Sequence, residues 1–300
     1  MNSEDELQIK PPTTFQEQVK LYKSRNLHID NSENAEKTLQ RINYYRLSAY
    51  GLTLKNSINK DDYLDGSNFN QLLSLNEFDR RLRLLLLGAL ETIEIAFRTH
   101  ISYEIGHKFG PLGYKDKENF INEKHHQIFL EELEKLVSKS RKGELFIEHH
   151  FQKYKGNIPI WAAIEVTSFG FISKLYRNLV EDVKKHIAKI YYSVPYPYLE
   201  SWLQTLSHVR NVCAHYGRLY NKKLTFKPRL FKEELKHIDS ELIFAGIYVT
   251  VRLLTKTEGS RLITDLEALI LEYEDSIDFV DVGFPSNWNY ILTKINNKKI

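Results

Sequence analysis

The segment Arg210-Asn211-Val212-Cys213-Ala214-His215 carries residue types that can cut a ribose-phosphate chain without a metal. An imidazole can take the proton from a ribose 2′-hydroxyl, and a guanidinium can hold the extra negative charge of the phosphorane-like transition state. On an ideal helix the five-residue spacing puts Arg210 and His215 about 140° apart, so spacing alone does not make them neighbours. They converge only if the helix loosens there, as Gly217 would permit, if Arg210 reaches across, or if a two-fold axis joins two copies. Without such a device the pair reads as a structural arginine and a core histidine.

The surroundings favour chemistry on RNA. Between Glu200 and Glu233 the chain has no acidic residue, while Arg210, Arg218, Lys222, Lys223, Lys227, Arg229 and Lys232 supply seven positive charges. Tyr216, Tyr220, Phe226 and Phe231 are interleaved with them and offer stacking surfaces for unpaired bases beside phosphate contacts. From Leu262 to Thr293 the reverse holds, with Asp265, Glu267, Glu272, Glu274, Asp275, Asp278 and Asp281 and no Lys or Arg. The net charge is only +3, so it is the distribution that matters. Such segregation either docks a polyanion at one region or makes two faces that partly neutralise each other.

A second polar set, Glu91, Glu94, Arg98 and His100, lies among apolar neighbours upstream. Glu94 and Arg98 at i, i+4 form an ordinary intrahelical pair, or Glu94 buttresses Arg210 or His215 across the core while Arg98 adds phosphate affinity. His100 is either a second histidine of the site or a structural residue near a helix end.

The elements that must position these residues are helical. Phe15, Val19 and Tyr22, then Ala35, Leu39 and Ile42, recur at helical spacing and predict a small entry module over residues 14–67, preceded by a flexible arm over residues 1–13. Residues 68–300 form the main helical domain. Leu72, Leu75, Phe78, Leu82, Leu86, Ile93, Phe97, Ile101 and Ile105 predict one helix of roughly 40 residues, about 60 Å long, unless Gly88 breaks it. Further helices are expected over 124–142, 145–155, from Pro159 to Leu179 with a weak point at Phe169-Gly170, and from Pro195 to near Gly217. Leu242–Leu254 and Leu262–Tyr273 complete the set, although Ile247-Tyr248-Val249-Thr250-Val251 has strand character. The fold class is all-α, a multi-helix bundle.

With 42% hydrophobic residues the chain of 300 can bury a real core, and one cysteine, Cys213, excludes an internal disulfide framework. A polar, acidic N-terminus without a signal-like apolar run points to the cytoplasm, and no stretch is apolar enough for a transmembrane helix, so no membrane partner is expected.

Arg210 to His215 also matches the Arg-x(4–6)-His signature of the HEPN superfamily, in which a polar residue such as Asn211 commonly follows the arginine. The chain resembles the Abi family of abortive-infection proteins, the AbiD/AbiF-like group of that superfamily, in Ile42–Tyr50, Leu90–Tyr103 and Arg210–Asn221. The resemblance implies a HEPN-like core, a homodimer or higher assembly, and metal-independent cleavage of RNA leaving 2′,3′-cyclic phosphate and 5′-hydroxyl ends. It implies His215 as general base or acid, Arg210 as stabiliser of the phosphorane, and Asn211 as the residue that orients the scissile phosphate. Related toxins carry a tyrosine two residues after the histidine; here that position is Gly217, with Tyr216 one residue earlier, which argues against silencing by tyrosine modification. Members of the group are linked to structured noncoding RNA.

The supporting or RNA-binding set is therefore Glu94, Arg98, His100, Tyr216, Arg218, Tyr220, Lys222, Lys223, Lys227 and Arg229, with no cofactor and no metal. The pairs His125-His126 and His149-His150 lack the i, i+4 spacing of a zinc helix. Arg80, Arg81 and Arg83 read as a solvated face or as further RNA contacts, and Tyr44, Tyr45 and Tyr50 as core aromatics or base platforms. The competing functions are a non-catalytic RNA-binding protein and a helical protein-interaction adaptor.

Overall fold

The computed structural model describes residues 11–298, so the first ten residues of the expected N-terminal arm lie outside the described residues. The described residues form thirteen α-helices and several short 3-10 turns, and contain no strand, only isolated bridges. The expected all-α, multi-helix architecture is what forms. Its contacts divide the chain into two compact units, one ending at Asp79 and including Tyr273–Ile277, the other comprising Arg80–Glu272 and the segment from Asp278.

In the smaller unit α1 (Phe15–Ser24) starts at a capping box between Thr14 and Glu17, and α2 (Ser32–Leu39) and α3 (Tyr44–Ser48) start at Asn31 and Asn43, whose side chains accept backbone N–H bonds. Val19, Tyr22, Leu47, Tyr63 and Leu72 are buried together. Tyr50 is buried and its hydroxyl donates to Asp79 at 2.7 Å, whereas Tyr45 is 80% exposed and is not a core residue.

Helix α4 (Phe69–Phe109) runs unbroken for 41 residues, and Gly88 does not interrupt it. In the larger unit it buries Leu82, Leu86, Leu90, Ile93, Phe97, Ile101 and Ile105, a row spaced by three or four residues. Each such side chain contributes about 1.5–3 kcal/mol on burial, against about 1 kcal/mol lost at one helical glycine, so packing decides. Arg83 is buried, so it does not belong to the solvated face the sequence suggests, whereas Arg81 is partly exposed and pairs with Glu272.

Around α4 the larger unit adds α5 (Glu123–Ser140), α6 (Leu145–Tyr154), α7 (Ile160–Ala163), α8 (Phe169–Asn178), α9 (Glu181–Tyr192), α10 (Tyr196–Ala214), α11 (Ile243–Leu253), α12 (Lys256–Tyr273) and α13 (Trp288–Asn297). The single helix expected from Pro159 to Leu179 is instead two, because Thr167 is extended and Ser168 caps α8 by accepting the Phe171 N–H. Helix α9 and α13 were not apparent in the sequence. In α9 the buried face includes Lys184, whose ammonium lies 2.7 Å from Glu200, so a charge sits where an apolar residue would mark the helix. The β-branched run of α11 is helical and buried on all sides, so surrounding contacts override its strand preference. Helix α10 packs against α8, α9 and α11 through residues including Leu199, Trp202, Leu206, Val209 and Cys213.

Candidate functional site

The end of α10 sets the site. The helix stops at Ala214, and His215 is its C-cap at φ −98°, ψ 20°. Tyr216 follows with φ 59°, the left-handed conformation usually left to glycine. Its N–H donates to the Cys213 carbonyl at 3.2 Å, and the Gly217 N–H donates to the Val212 carbonyl at 2.7 Å, which closes a Schellman turn. The helix does loosen where the sequence allows it, but the strained position is Tyr216. Gly217 serves close approach: a Cβ there would sit 2.8 Å from Val212 Cγ1. Arg83 of α4 donates to the Gly217 carbonyl at 3.3 Å and ties the turn to the long helix.

Arg210 turns toward α4. Its Nε lies 3.3 Å from Glu94 Oε2, and its Nη1 donates to Asn211 Oδ1 at 3.2 Å. The other Glu94 oxygen accepts from Arg98 Nη2 at 2.5 Å, and the same nitrogen donates to the Thr167 carbonyl at 2.5 Å. Glu165 Oε2 stands 3.9 Å from Arg98 Nη1, and Arg98 Nε is buried without a hydrogen-bond partner. The Glu94 side chain is 7% exposed, against 31% for Arg210. Glu94 thus contacts both its i, i+4 partner Arg98 and Arg210 of α10. Glu94 and Glu165 together balance Arg98 and Arg210, with Glu94 on the Nε side of Arg210, whose Nη2 makes no bond among the described residues. That is a fixed cation suited to an anion arriving from solvent.

His215 is exposed, and its ring makes no hydrogen bond or ion pair among the described residues, to Arg210 or to any other group. His100 lies elsewhere, stacked on Tyr191 at 3.9 Å with Nδ1 3.0 Å from the Tyr192 hydroxyl. Burial lowers its pKa, against the opposing pull of Glu104. The Tyr191 hydroxyl donates to Glu104 at 2.8 Å and, chiefly through burial, is pushed up to about 12.

The basic block is less free than its sequence suggests. Glu241, beyond the acid-free stretch, pairs with both Lys223 and Lys227, and the two lysines hold its carboxyl down to about 2. Tyr220 is buried and its hydroxyl donates to Asp281 at 2.8 Å, so it offers no face to a base. Phe231 stacks on Tyr198 at 4.1 Å. Tyr216 is 72% exposed, Phe226 is exposed beside His208, and Lys222, Arg229 and Lys232 carry no carboxylate partner among the described residues. The Arg229 backbone fastens the loop to α10, its N–H donating to Ser201 Oγ at 2.9 Å and its carbonyl accepting from Trp202 Nε1 at 2.6 Å. Arg218 lines a small cleft with His208 and Lys222.

Glu165, Thr167, Glu241 and Asp281 are the site neighbours that sequence reasoning missed. Thr167 acts through a backbone carbonyl, which no side-chain pattern reveals, and the acids lie far along the chain from the cations they meet. No three His, Cys, Asp or Glu side chains among the described residues are grouped so as to hold a metal.

A family model described as Abi-like protein matches residues 37–221, which include Glu94, Arg98, Arg210, Asn211 and His215. The chain belongs to the Abi-like family. Searches of curated proteins and of solved structures gave no match. No helix among the described residues of this Abi-like chain is long and apolar enough to cross a membrane.

Proposed function

We propose that this Abi-like protein is a HEPN-type, metal-independent endoribonuclease acting in phage defence by abortive infection. The observation that carries the reading is the pairing of a fixed arginine with an unengaged histidine at one helix end: Arg210 is held by buried Glu94, and His215 caps α10 with its ring exposed. His215 takes the proton of a ribose 2′-hydroxyl, and the 2′-oxygen attacks the adjacent phosphorus. Arg210 holds the charge that builds on the nonbridging oxygens, and Asn211 orients the phosphate. The P–O5′ bond breaks, a protonated histidine returns a proton to the leaving oxygen, and the products are a 2′,3′-cyclic phosphate and a 5′-hydroxyl.

The two proton transfers need two imidazoles or one that turns over between states. Since Arg210 and His215 share no bond within one chain, the complete centre is formed by two copies, each supplying this pair. Tyr216, Arg218, Lys222 and Arg229 guide the single-stranded RNA toward it.

A synthetic RNA with a 2′-deoxyribose at a mapped cleavage position tests the chemistry. The proposal requires that position to resist cutting while neighbouring ribose positions are cut, with EDTA present throughout. Cutting at the deoxyribose would exclude attack by the 2′-oxygen.

The absence of any bond between Arg210 and His215 also suits a second reading, an RNA-binding protein that holds a structured noncoding RNA without cutting it. It predicts steeply salt-dependent RNA binding with no cleavage at any protein concentration.

A further inference from the structure

Away from the Arg210 cluster, a groove of about 1150 Å³ opens in the larger unit, with walls from α4, the end of α9, α11, the start of α12 and α13. Its acids are engaged. Glu234 accepts from the Tyr248 hydroxyl at 2.6 Å, from Arg252 at 2.7 Å and from the Phe231 N–H at 2.8 Å. Glu258 caps the start of α12 by accepting from the Thr255 hydroxyl at 2.7 Å, and Glu233 pairs with Lys236 at 2.6 Å.

Its lysines are in the opposite condition. Lys256, Lys294 and Lys298 line the groove, are exposed, and have no carboxylate partner among the described residues. Lys294 and Lys298 stand one helical turn apart and repel each other. Lys256 belongs to the same corner, because its carbonyl accepts from Asn296 of α13 at 2.9 Å. One turn before Lys294, Tyr290 is 61% exposed, with the Lys294 ammonium 5.4 Å from its ring centre. From Tyr290 to Lys298 the helix rises about 12 Å. The opposite wall, with His100, Tyr191 and Tyr192, is aromatic and adds no lasting positive charge, since burial disfavours the protonated His100.

The three lysines at one corner outnumber the neighbouring carboxylate of Glu258, which is bonded to the neutral Thr255, and call for a multiply charged anion, while an exposed ring one turn away calls for a planar group attached to it. The volume is far more than a phosphate needs and lies at the upper end of small-ligand clefts. We propose that this groove binds a purine nucleoside polyphosphate, its phosphates on Lys256, Lys294 and Lys298 and its base stacked on Tyr290. The site is independent of the ribonuclease reading and stands or falls separately from it.

Calorimetric titration of the full chain with ATP, GTP, adenosine and inorganic triphosphate tests the assignment. ATP or GTP is expected to saturate one site per chain, with adenosine at least about tenfold weaker because it lacks the phosphates. Lys256→Ala/Lys294→Ala/Lys298→Ala should lose about tenfold or more in nucleotide affinity, and Tyr290→Ala should weaken the nucleotide about tenfold while leaving inorganic triphosphate unchanged. All four side chains are at the surface, so the variants are expected to fold, which circular dichroism checks. No saturable binding of either nucleotide at millimolar concentration, or unchanged nucleotide affinity in the triple variant or in Tyr290→Ala, would overturn the proposal.

Discussion

Glu94 Oε2 lies 3.3 Å from Arg210 Nε, and through its other oxygen Glu94 holds Arg98 at 2.5 Å, so one buried carboxylate on α4 aims the arginine of α10. Removing it takes away the carboxylate that the two guanidiniums share and leaves Glu165, 3.9 Å from Arg98, as the remaining acid. Glu94→Ala should cost roughly 2–3 kcal/mol, below the range for a fully buried pair because Arg210 is 31% exposed. Urea unfolding measures this, and a loss under about 0.5 kcal/mol would mean that the cluster is not a structural unit.

The end of α10 gives two substitutions of opposite sign. Tyr216 adopts φ 59°, so Tyr216→Gly relieves a conformational cost of about 1 kcal/mol and should raise the unfolding midpoint. Gly217→Ala places a methyl 2.8 Å from Val212 Cγ1 and should lower it. If Tyr216 also stacks on RNA, Tyr216→Gly combines higher stability with weaker RNA binding, a pairing that a purely structural role would not produce.

Glu241 pairs with both Lys223 and Lys227 on the proposed RNA path and offsets one of their two charges. Glu241→Gln should tighten RNA binding and steepen its salt dependence, by up to about two phosphate contacts in slope. Fluorescence anisotropy across a salt series reads both, and an unchanged slope would place the two lysines off the path.

His100 and His208 have pKa values lowered from 6.5, His100 by burial against Glu104, His208 by burial and then by Lys222. Burial disfavours their protonated forms, so the unfolded chain takes up the protons first as pH falls. Their contribution to stability is full above about 6.5 and declines as pH drops below it toward the folded-state values. Urea unfolding at about pH 7.5 and about pH 5.5 should show lower stability in acid, and His100→Gln should shrink the difference.

Much of this architecture is legible in the sequence because burial follows period. The α4 row from Leu82 to Ile105 announces a long helix, and the end of α10 near Gly217 is marked by its glycine. What escapes is set by contacts between distant positions. α9 hides because Lys184 occupies its buried face, paired with Glu200 sixteen residues on. The acid-free block looks fully cationic because Glu241 and Asp281, which engage Lys223, Lys227 and Tyr220, lie outside it in sequence. In the site, Glu94 was a legible candidate for its i, i+4 partner and for the motif helix, whereas Thr167 contributes only a carbonyl. His215 caps α10 with its N–H still bonded to the Asn211 carbonyl at 3.0 Å, so the angular separation expected on a helix holds up to the cap and the two side chains do not meet.

We propose above that Arg210 and His215 cut RNA without a metal. The most direct test of this is incubation of total RNA with the purified protein and with Arg210→Ala/His215→Ala, each over a range of concentrations and in excess EDTA. The parent is expected to cut, more efficiently per chain as concentration rises, leaving 5′-hydroxyl ends that polynucleotide kinase labels directly, and the double variant is expected not to cut. Equal cleavage by both proteins, or loss of cleavage by the parent in EDTA, would contradict the proposal.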